Sequence, residues 1–322
     1  GVLARFAVDP DSLSQPGVRP RQKDSNHRRF LHVWLRYGIL MLHARDRDDL
    51  LQAIKELPQS SRKLWKSAFE ERRYRQVDAL SDWRGFRAVD AKEDLAQLGN
   101  VELAVLDDEM LDLLEFGETT PFWVNETMEA CPYHSVDQSH CTSTIVAKAE
   151  RMIPKNEPCD AVWAAHFQRL SIAEKSIVVV DRYAIKELCR YPRSGLRTFV
   201  KSLDRDGVGV NLTIYSAQVD DLTSAQIRTA LNDLFGDLTE GGISLCHAYW
   251  PDDSHFARDA HWRYARFGDA VCQLDTGLQV LDEGGVPRNC PFKYHLRDRL
   301  VRNTENALRD AALGPDRHWQ IP

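Results

Sequence analysis

The feature that most constrains the fold is an alternation of apolar runs and amphipathic segments in the second half of the chain. The runs SIVVVDRY (176–183), VGVNLTIYSA (208–217) and ISLCHAYW (243–250) are rich in β-branched and aromatic residues, which favours strands. The segments between them have helical periodicity, and the second begins with the capping pattern of Thr223 and Gln226. This order predicts an α/β sheet with parallel neighbouring strands.

The first half of the chain has a different pattern. Residues 1–27 are rich in proline, serine and charged residues, which predicts an irregular lead-in. The segments RRFLHVWLRYGILMLHA, DRDDLLQAIKEL and SSRKLWKSAFEERRYR predict helices, so we expect 28–154 to be a helical and connecting region. Residues 155–322 are then expected to form the α/β domain.

Composition and charge limit the class of protein. Of the 322 residues, 43% are hydrophobic and 28% are charged, which is typical of soluble globular proteins. No apolar run approaches the roughly 18 residues of a membrane span, so none is expected. The formal net charge of −6 excludes a basic field over the whole chain, and any phosphate-binding surface must therefore be local.

The seven cysteines bear on the compartment and on metal binding. Their odd number and irregular spacing, with no secretory signal at the start of the sequence, favour reduced thiols and a cytoplasmic protein. The segment CPYHSVDQSHC contains four zinc-ligand types, Cys131, His134, His140 and Cys141. His140 and Cys141 are adjacent, which hinders a single tetrahedral site. The favoured interpretation is a polar loop with two half-buried thiols, and no metal or other cofactor is expected.

Asp181 is a candidate functional residue because it follows the apolar run IVVV. Open α/β sheets bind ligands outside the carboxyl ends of their strands. Asp181 would either orient a histidine or a basic group, or cap the turn into the next helix. We expect His247, in the third strand, to lie in the same region.

His261 and Arg263 form the second candidate site. The segment RYARFGDAVCQLDTGLQVL predicts two strands joined by a hairpin near 267–269. On a strand, His261 and Arg263 would lie on the same face. A histidine beside a cation suits phosphoryl transfer through a phosphohistidine, because the cation neutralises the phosphate oxygens. The alternative is a pair of surface residues on an edge strand.

The sequence from 260 to 296 resembles the end of the phospholipase-D-like C-terminal domain of microtubule-interacting and trafficking (MIT) proteins. That family has a His-x-Arg strand, an apolar strand ending in a Gly-Leu turn, an Arg-x-Cys segment and a final strand. The matching residues are His261, Arg263, Gly277, Leu278, Arg288 and Cys290. SIVVVDRY also resembles the opening strand of that domain, so the resemblance covers roughly residues 155–300.

The resemblance implies a mixed-sheet fold and a phosphate site, but this chain departs from the active enzymes. Phospholipase-D-type phosphodiesterases use two facing copies of His-x-Lys, each followed four residues later by Asp. Here Arg263 replaces the lysine, Asp269 is one position late, and there is one copy. Arginine is not equivalent to lysine, because a planar fork replaces a point charge. Since the eukaryotic relatives bind acidic lipid headgroups without catalysis, a degenerate phosphate site is favoured, with Arg263, Arg288 and Lys293 as its basic residues.

The predicted function is a phosphate-recognising, nucleic-acid-binding component of a multi-protein system. The resemblance further implies a bacterial relative, from loci that act in antiviral defence against phages. The first alternative is a homodimeric, metal-independent phosphodiesterase or nuclease, in which His261 is the nucleophile and Arg263 and Asp181 complete the catalytic site. The second is a non-catalytic scaffold that docks partner proteins. The sequence leaves open whether the protein is an enzyme.

Overall fold

The computed structural model describes residues 1–71, 73–77, 82–219, 221–259 and 262–322. They form two compact units, an N-terminal unit of Leu3–Ala147 and a C-terminal unit of Gly1–Val2 with Lys148–Pro322. Each unit contains its own mixed sheet with helices, which confirms the α/β class. In the described ranges, no helix combines the length and the apolar composition that crossing a membrane requires.

The N-terminal unit is built on a six-stranded sheet. Its strands are β1 (Ala4–Val8), β2 (Gly38–His43), β3 (Tyr74–Val77), β4 (Leu103–Leu106), β5 (Phe122–Trp123) and β6 (Glu129–Pro132). Its helices are α1 (Pro20–Tyr37), α2 (Arg47–Glu56), α3 (Gln59–Glu71), α4 (Asp108–Leu113) and α5 (His140–Lys148). The strand order is β3-β2-β1-β4-β6-β5, and all pairs are parallel except β5 with β6. The order therefore reverses between β1 and β4, which is the topological switch point of a doubly wound sheet.

Both faces of this sheet are covered. Phe6, Val8 and Val105 belong to an apolar cluster with residues of α1, α2 and α3, whereas Ala7 and Ala104 belong to a second cluster that includes residues of α4. Successive side chains of a strand point to opposite faces, so strands covered on both sides become continuous apolar runs. This is the pattern of β1 and β4, in which nearly every residue is buried.

The predictions of an irregular lead-in at 1–27 and of a helical region at 28–154 are therefore wrong. The lead-in contains β1, and the segment GILMLH after α1 forms β2 instead of continuing the helix. Periodicity does not distinguish a short buried strand from a buried helix, which explains the error at β2. β1 was missed because the composition of 1–27 as a whole indicated a loop. Gly38 marks the transition: a Cβ there would lie 2.9 Å from the Phe6 ring, so the junction requires glycine.

The C-terminal unit is built on an eight-stranded sheet. Its strands are β7 (Glu150–Ile153), β8 (Ser176–Val180), β9 (Val210–Tyr215), β10 (Ile243–Tyr249), β11 (Tyr264–Phe267), β12 (Ala270–Leu274), β13 (Cys290–Leu296) and β14 (His318–Ile321). Its α-helices are α6 (Cys159–Val162), α7 (Gln168–Ala173), α8 (Ala184–Arg190), α9 (Gly195–Asp206), α10 (Ser224–Gly236), α11 (Asp253–Asp259) and α12 (Arg299–Asp310). The order is β14-β10-β9-β8-β11-β12-β13-β7, in which β8, β9 and β10 are parallel and the other pairs are antiparallel.

The predicted strand–helix alternation is confirmed in this unit. The three apolar runs are β8, β9 and β10; α8 and α9 lie between the first two, and α10 between the last two. The capping box of Thr223 and Gln226 is present at the start of α10. The hairpin is also confirmed, since Phe267 pairs with Ala270 and leaves Gly268 and Asp269 as the turn. The boundary between the two units lies between Ala147 and Lys148, a few residues before the predicted boundary between 154 and 155.

A buried ion pair attaches α12 to the sheet. Arg266 of β11 donates from Nε to Glu305 Oε1 at 2.7 Å and from Nη2 to Oε2 at 2.8 Å. Both side chains are only 6% exposed, and Tyr264 also donates its hydroxyl to Glu305. A buried guanidinium depends on its carboxylate partner, because water cannot replace the lost hydrogen bonds.

We predict that Glu305→Ala lowers the free energy of unfolding by about 3–5 kcal/mol, because it leaves Arg266 buried without its main partner. Replacing both residues, as Arg266→Met with Glu305→Leu, is expected to be less damaging than the single change. Urea unfolding followed by tryptophan fluorescence measures both. Arg302→Ala, at an exposed position of α12, is the control; a loss in Glu305→Ala no larger than in this control contradicts the prediction.

Candidate functional site

Asp181 lies directly after β8, where its side chain is buried. Its Oδ1 accepts a hydrogen bond from the backbone N–H of Tyr183 at 3.0 Å, and its Oδ2 accepts one from Leu278 at 2.8 Å. Burial raises the pKa of Asp181, while these two hydrogen bonds and the charge of Arg263 oppose the rise. Oδ1 thus stabilises the turn that follows β8, and Oδ2 joins the end of β8 to the 3-10 helix Gly277–Leu281.

Gly277 allows this connection to close. Its φ is +64°, and a Cβ there would lie 2.2 Å from Asp181 Oδ2 and 2.9 Å from Arg263 Cδ. Both the backbone conformation and the available space therefore exclude any other residue without rearrangement. The Gly-Leu turn of the sequence thus fixes Asp181 and Arg263 against the same backbone segment.

We predict that Gly277→Ala destabilises the protein by at least about 2 kcal/mol, because left-handed strain adds to a steric overlap with Asp181. Gly284→Ala is the matched control, since nothing lies within 4 Å of a Cβ at Gly284. This control should change the free energy of unfolding by less than about 0.5 kcal/mol. Equal midpoints of chemical unfolding for the two variants would refute the tight packing at Gly277.

Arg263 lies immediately before β11, and its carbonyl oxygen accepts a hydrogen bond from Leu274 N at 2.9 Å, which continues the pairing of β11 with β12. Because Tyr264 pairs with Val180, Arg263 is beside the end of β8 and close to Asp181. Its guanidinium carbon is 5.7 Å from the centre of the Tyr183 ring, a cation–π distance. Among the residues that the structure describes, the guanidinium makes no hydrogen bond or ion pair. His261 lies outside the described residues, so its place relative to Arg263 stays a prediction.

Arg263 borders a small crevice whose other charged residues are acidic. Its lining includes Asp181, Glu187, Asp282, Thr276 and the first residues of α9. Asp282 accepts a hydrogen bond from Gly195 N at 2.7 Å, and burial raises its pKa to about 6. The carboxylates disfavour an anion inside the crevice, so a phosphate would have to meet Arg263 from outside it.

Arg288 and Lys293, the other predicted basic residues, are in different environments. Arg288 is exposed in the loop before β13. Lys293 lies within β13, where its Nζ is 3.3 Å from Glu150 Oε1, so part of its charge is neutralised. Neither forms a hydrogen bond with Arg263, and the predicted basic patch stays a prediction.

Two other residues lie away from Asp181 and Arg263. Asp269 is in the hairpin turn at the opposite end of β11, about 13 Å along a strand of four residues. His247 is separated from β8 by β9, and its Nδ1 is 2.9 Å from His318 Nε2. His247, expected in the same region as Asp181, lies two strands away, with β9 between them.

The four zinc-ligand types do not converge. Cys131 is a buried residue of β6, and burial raises the pKa of its thiol. His134 Nε2 is 3.4 Å from Asp108 Oδ1, whereas the His140 ring packs edge-on against Trp123. Across the described ranges, no three side chains of His, Cys, Asp or Glu are grouped so as to hold a metal by themselves.

A second buried aspartate, which the sequence interpretation missed, lies at the switch point of the N-terminal sheet. Asp9 follows β1 and is 2% exposed. Its Oδ1 accepts a hydrogen bond from Asp11 N at 3.0 Å, and its Oδ2 has no partner in the described structure. Burial, with smaller contributions from the charges of Asp107, Asp11 and Asp46, raises the pKa of Asp9 to about 7.

Asp107 is on the other side of this switch point, directly after β4. Its Oδ1 accepts a hydrogen bond from Met110 N at 2.7 Å, which caps α4. Partial burial raises its pKa. The carboxylate borders a cavity of about 160 Å³ that Gln15, Tyr133 and His134 also line. The signal for both aspartates was in the sequence: FAVD and LAVLD are apolar runs that end in Asp, just as IVVVD does.

We predict that Asp9→Asn stabilises the metal-free protein more at pH 8 than at pH 5. The pKa of Asp9 is above that of an unfolded chain, so its ionisation removes stability as the pH rises from about 4 through 7. The stabilisation by Asn should therefore grow by on the order of 2–3 kcal/mol between these pH values. Denaturant unfolding in chelator measures it, with Asp112→Asn as an exposed control. A gain independent of pH would contradict the raised pKa.

Comparisons with known proteins assign no family. Neither a family model nor a curated protein matches the sequence. One solved structure with similarity is TrmBL2, an archaeal chromatin protein described as showing a novel mode of DNA binding. The likeness has a TM-score of 0.25 and 11% identity, and covers 50% of this chain and 51% of that chain. A likeness of this degree establishes neither a phospholipase-D-like arrangement nor a function for this chain.

Proposed function

We propose that the C-terminal unit recognises phosphate through Arg263, and that its ligand is a nucleic acid. The observation that carries the proposal is a guanidinium at the carboxyl end of β8 with no hydrogen-bond or ion-pair partner in the described structure. Arginine offers planar donors that match phosphate oxygens, and charge-assisted hydrogen bonds of this kind are strong. The carboxyl ends of strands are also where open α/β sheets bind ligands.

The neighbours of Arg263 hold its guanidinium in position before a phosphate binds. Gly277 approaches its Cδ closely, and the Tyr183 ring lies under its guanidinium. Asp181 is near enough to influence it electrostatically, but both oxygens of Asp181 accept backbone hydrogen bonds. The donors of Arg263 are therefore held in place without being satisfied, which reduces the entropy lost when phosphate binds.

A nucleic acid is favoured over a simple anion because an aromatic residue adjoins Arg263. Trp262 is half-buried, and its ring centre is 4.8 Å from that of Tyr264 and 5.8 Å from that of His295. Single-stranded nucleic acids bind to surfaces that combine a cation for the backbone with rings on which bases stack. Trp262 packs on the same side as Tyr264, whereas Arg263 lies on the side of Tyr183 and Gly277. We therefore propose that the ligand crosses the chain just before β11, with a phosphate at Arg263 and a base at Trp262.

The wider role follows from the resemblance to bacterial phospholipase-D-like proteins. We propose a component of a multi-protein system in antiviral defence, in which the site binds nucleic acid without hydrolysing it. The homodimeric phosphodiesterase is the alternative, and it needs His261 as nucleophile. The separation of Asp269 from Arg263 by the length of β11 favours binding over catalysis.

We predict that Arg263→Ala weakens binding of a short single-stranded oligonucleotide by about tenfold or more, because one charge-assisted phosphate contact is lost. The slope of log affinity against log salt should fall by about 0.7 for one lost contact. Arg263→Lys should be intermediate, since the charge remains but the fork does not. Fluorescence anisotropy over a range of NaCl concentrations measures both quantities.

Arg299→Ala is the matched control, because Arg299 is an exposed arginine of the same unit at the start of α12. It removes one positive charge without touching the proposed site. The proposal fails if folded Arg263→Ala binds with wild-type affinity, or if Arg299→Ala loses as much affinity as Arg263→Ala. Hydrolysis of the oligonucleotide that disappears in His261→Ala would instead establish the catalytic alternative.

A further inference from the structure

We propose that the N-terminal unit binds a divalent cation at the switch point of its sheet, between the carboxylates of Asp9 and Asp107. This site is distinct from the phosphate site proposed for the C-terminal unit. Strands β1 and β4 are parallel neighbours, and Val8 pairs with Val105. This register places Asp9 opposite Leu106 and Asp107 one residue further, so the two carboxylates emerge at adjacent strand ends.

One carboxylate oxygen of Asp9 is buried without a partner among the described residues, which favours a bound ion. A side chain that is 2% exposed has little access to water, yet its Oδ2 has no hydrogen-bond partner in the described structure. Buried polar atoms nearly always have a partner, and an orphaned one indicates an absent ion or water. Asp46, three residues after the neighbouring β2, is by contrast a buried aspartate whose two oxygens both have hydrogen-bond partners. Its oxygens accept hydrogen bonds from Trp83 Nε1 at 2.7 Å and Phe86 N at 2.8 Å.

The charges around Asp9 are negative, which also favours a bound cation. The charges that act on Asp9 are those of Asp107, Asp11 and Asp46, all of them negative. In the described structure no lysine, arginine or histidine forms an ion pair with Asp9. A divalent cation would neutralise this repulsion and supply the partner that Oδ2 lacks. Oxygen ligands select hard cations such as Mg²⁺ and Mn²⁺.

The number of ligands fits a cation that keeps much of its water. Mg²⁺ is usually held by one or two carboxylates and retains several waters, so a group of three or more protein ligands is not required. Asp107, though not Asp9, borders the cavity of about 160 Å³, which has room for waters on the Asp107 side of the cation. The Asp107 oxygen that caps α4 is Oδ1, and the other oxygen remains for a cation.

The test uses the full chain, stripped with chelator and titrated with MnCl₂ in a calorimeter. We expect one saturable Mn²⁺ site, which Asp9→Asn and Asp107→Asn each weaken by about tenfold or more, because each removes a charged ligand. Asparagine is as good a helix cap as aspartate, so α4 should persist in Asp107→Asn. Asp112→Asn, an exposed acid of α4, is the control and should bind Mn²⁺ as the wild type does.

Absence of saturable Mn²⁺ binding by the wild-type protein would overturn the proposal. So would wild-type affinity in either variant once circular dichroism shows that it is folded, or an equal loss in Asp112→Asn. A crystal of the wild-type protein soaked in MnCl₂ gives a test that needs no variant. The proposal requires an anomalous peak between Asp9 and Asp107, and a peak elsewhere alone would contradict it.

Discussion

The free-energy cost of burying a carboxylate at the end of a central strand shapes both units of this protein. In each sheet, an apolar strand in the interior of the sheet ends in a buried aspartate, Asp9 after β1 and Asp181 after β8. A buried charge is tolerated only when hydrogen bonds or counter-charges replace the lost water. How each carboxylate meets this requirement distinguishes the role of one site from that of the other.

Asp181 meets this requirement by accepting hydrogen bonds from two backbone N–H groups. Its hydrogen bonds to Tyr183 and Leu278 make it a structural connection, and the nearby Arg263 retains its donors for a ligand. Asp9 meets it only in part, because one oxygen remains without a partner and its neighbours are acidic. Asp181 and Asp9 thus occupy the same position in their sheets but have different roles. Asp181 supports the backbone next to Arg263, whereas Asp9 is a proposed ligand of a metal ion.

The C-terminal sheet could be predicted in large part from the sequence, because its strands and helices differ in period and are separated by glycines and caps. The N-terminal sheet could not, since the period of β2 does not distinguish strand from helix, and β1 lies in a segment rich in proline, serine and charge. Asp181 was found because its strand was recognised, and Asp9 was missed because its strand was not. The carboxylate pattern was identical at both positions, so the error lay in the assignment of the strand.

The details of the predicted phosphate site depended on tertiary structure. Arg263 lies beside Asp181 because Tyr264 pairs with Val180, which belongs to a strand far earlier in the sequence. The pairing of Lys293 with Glu150 joins β13 to β7, strands that are far apart in the sequence. Contacts of this kind follow from register, which local residue patterns do not specify.

A crystal structure of the protein with a bound single-stranded oligonucleotide tests the central claim most directly, because it shows which group contacts phosphate. We predict a phosphate oxygen at about 2.7–3.2 Å from a guanidinium nitrogen of Arg263, outside the acidic crevice. An oligonucleotide bound elsewhere, with no phosphate at Arg263, would contradict it.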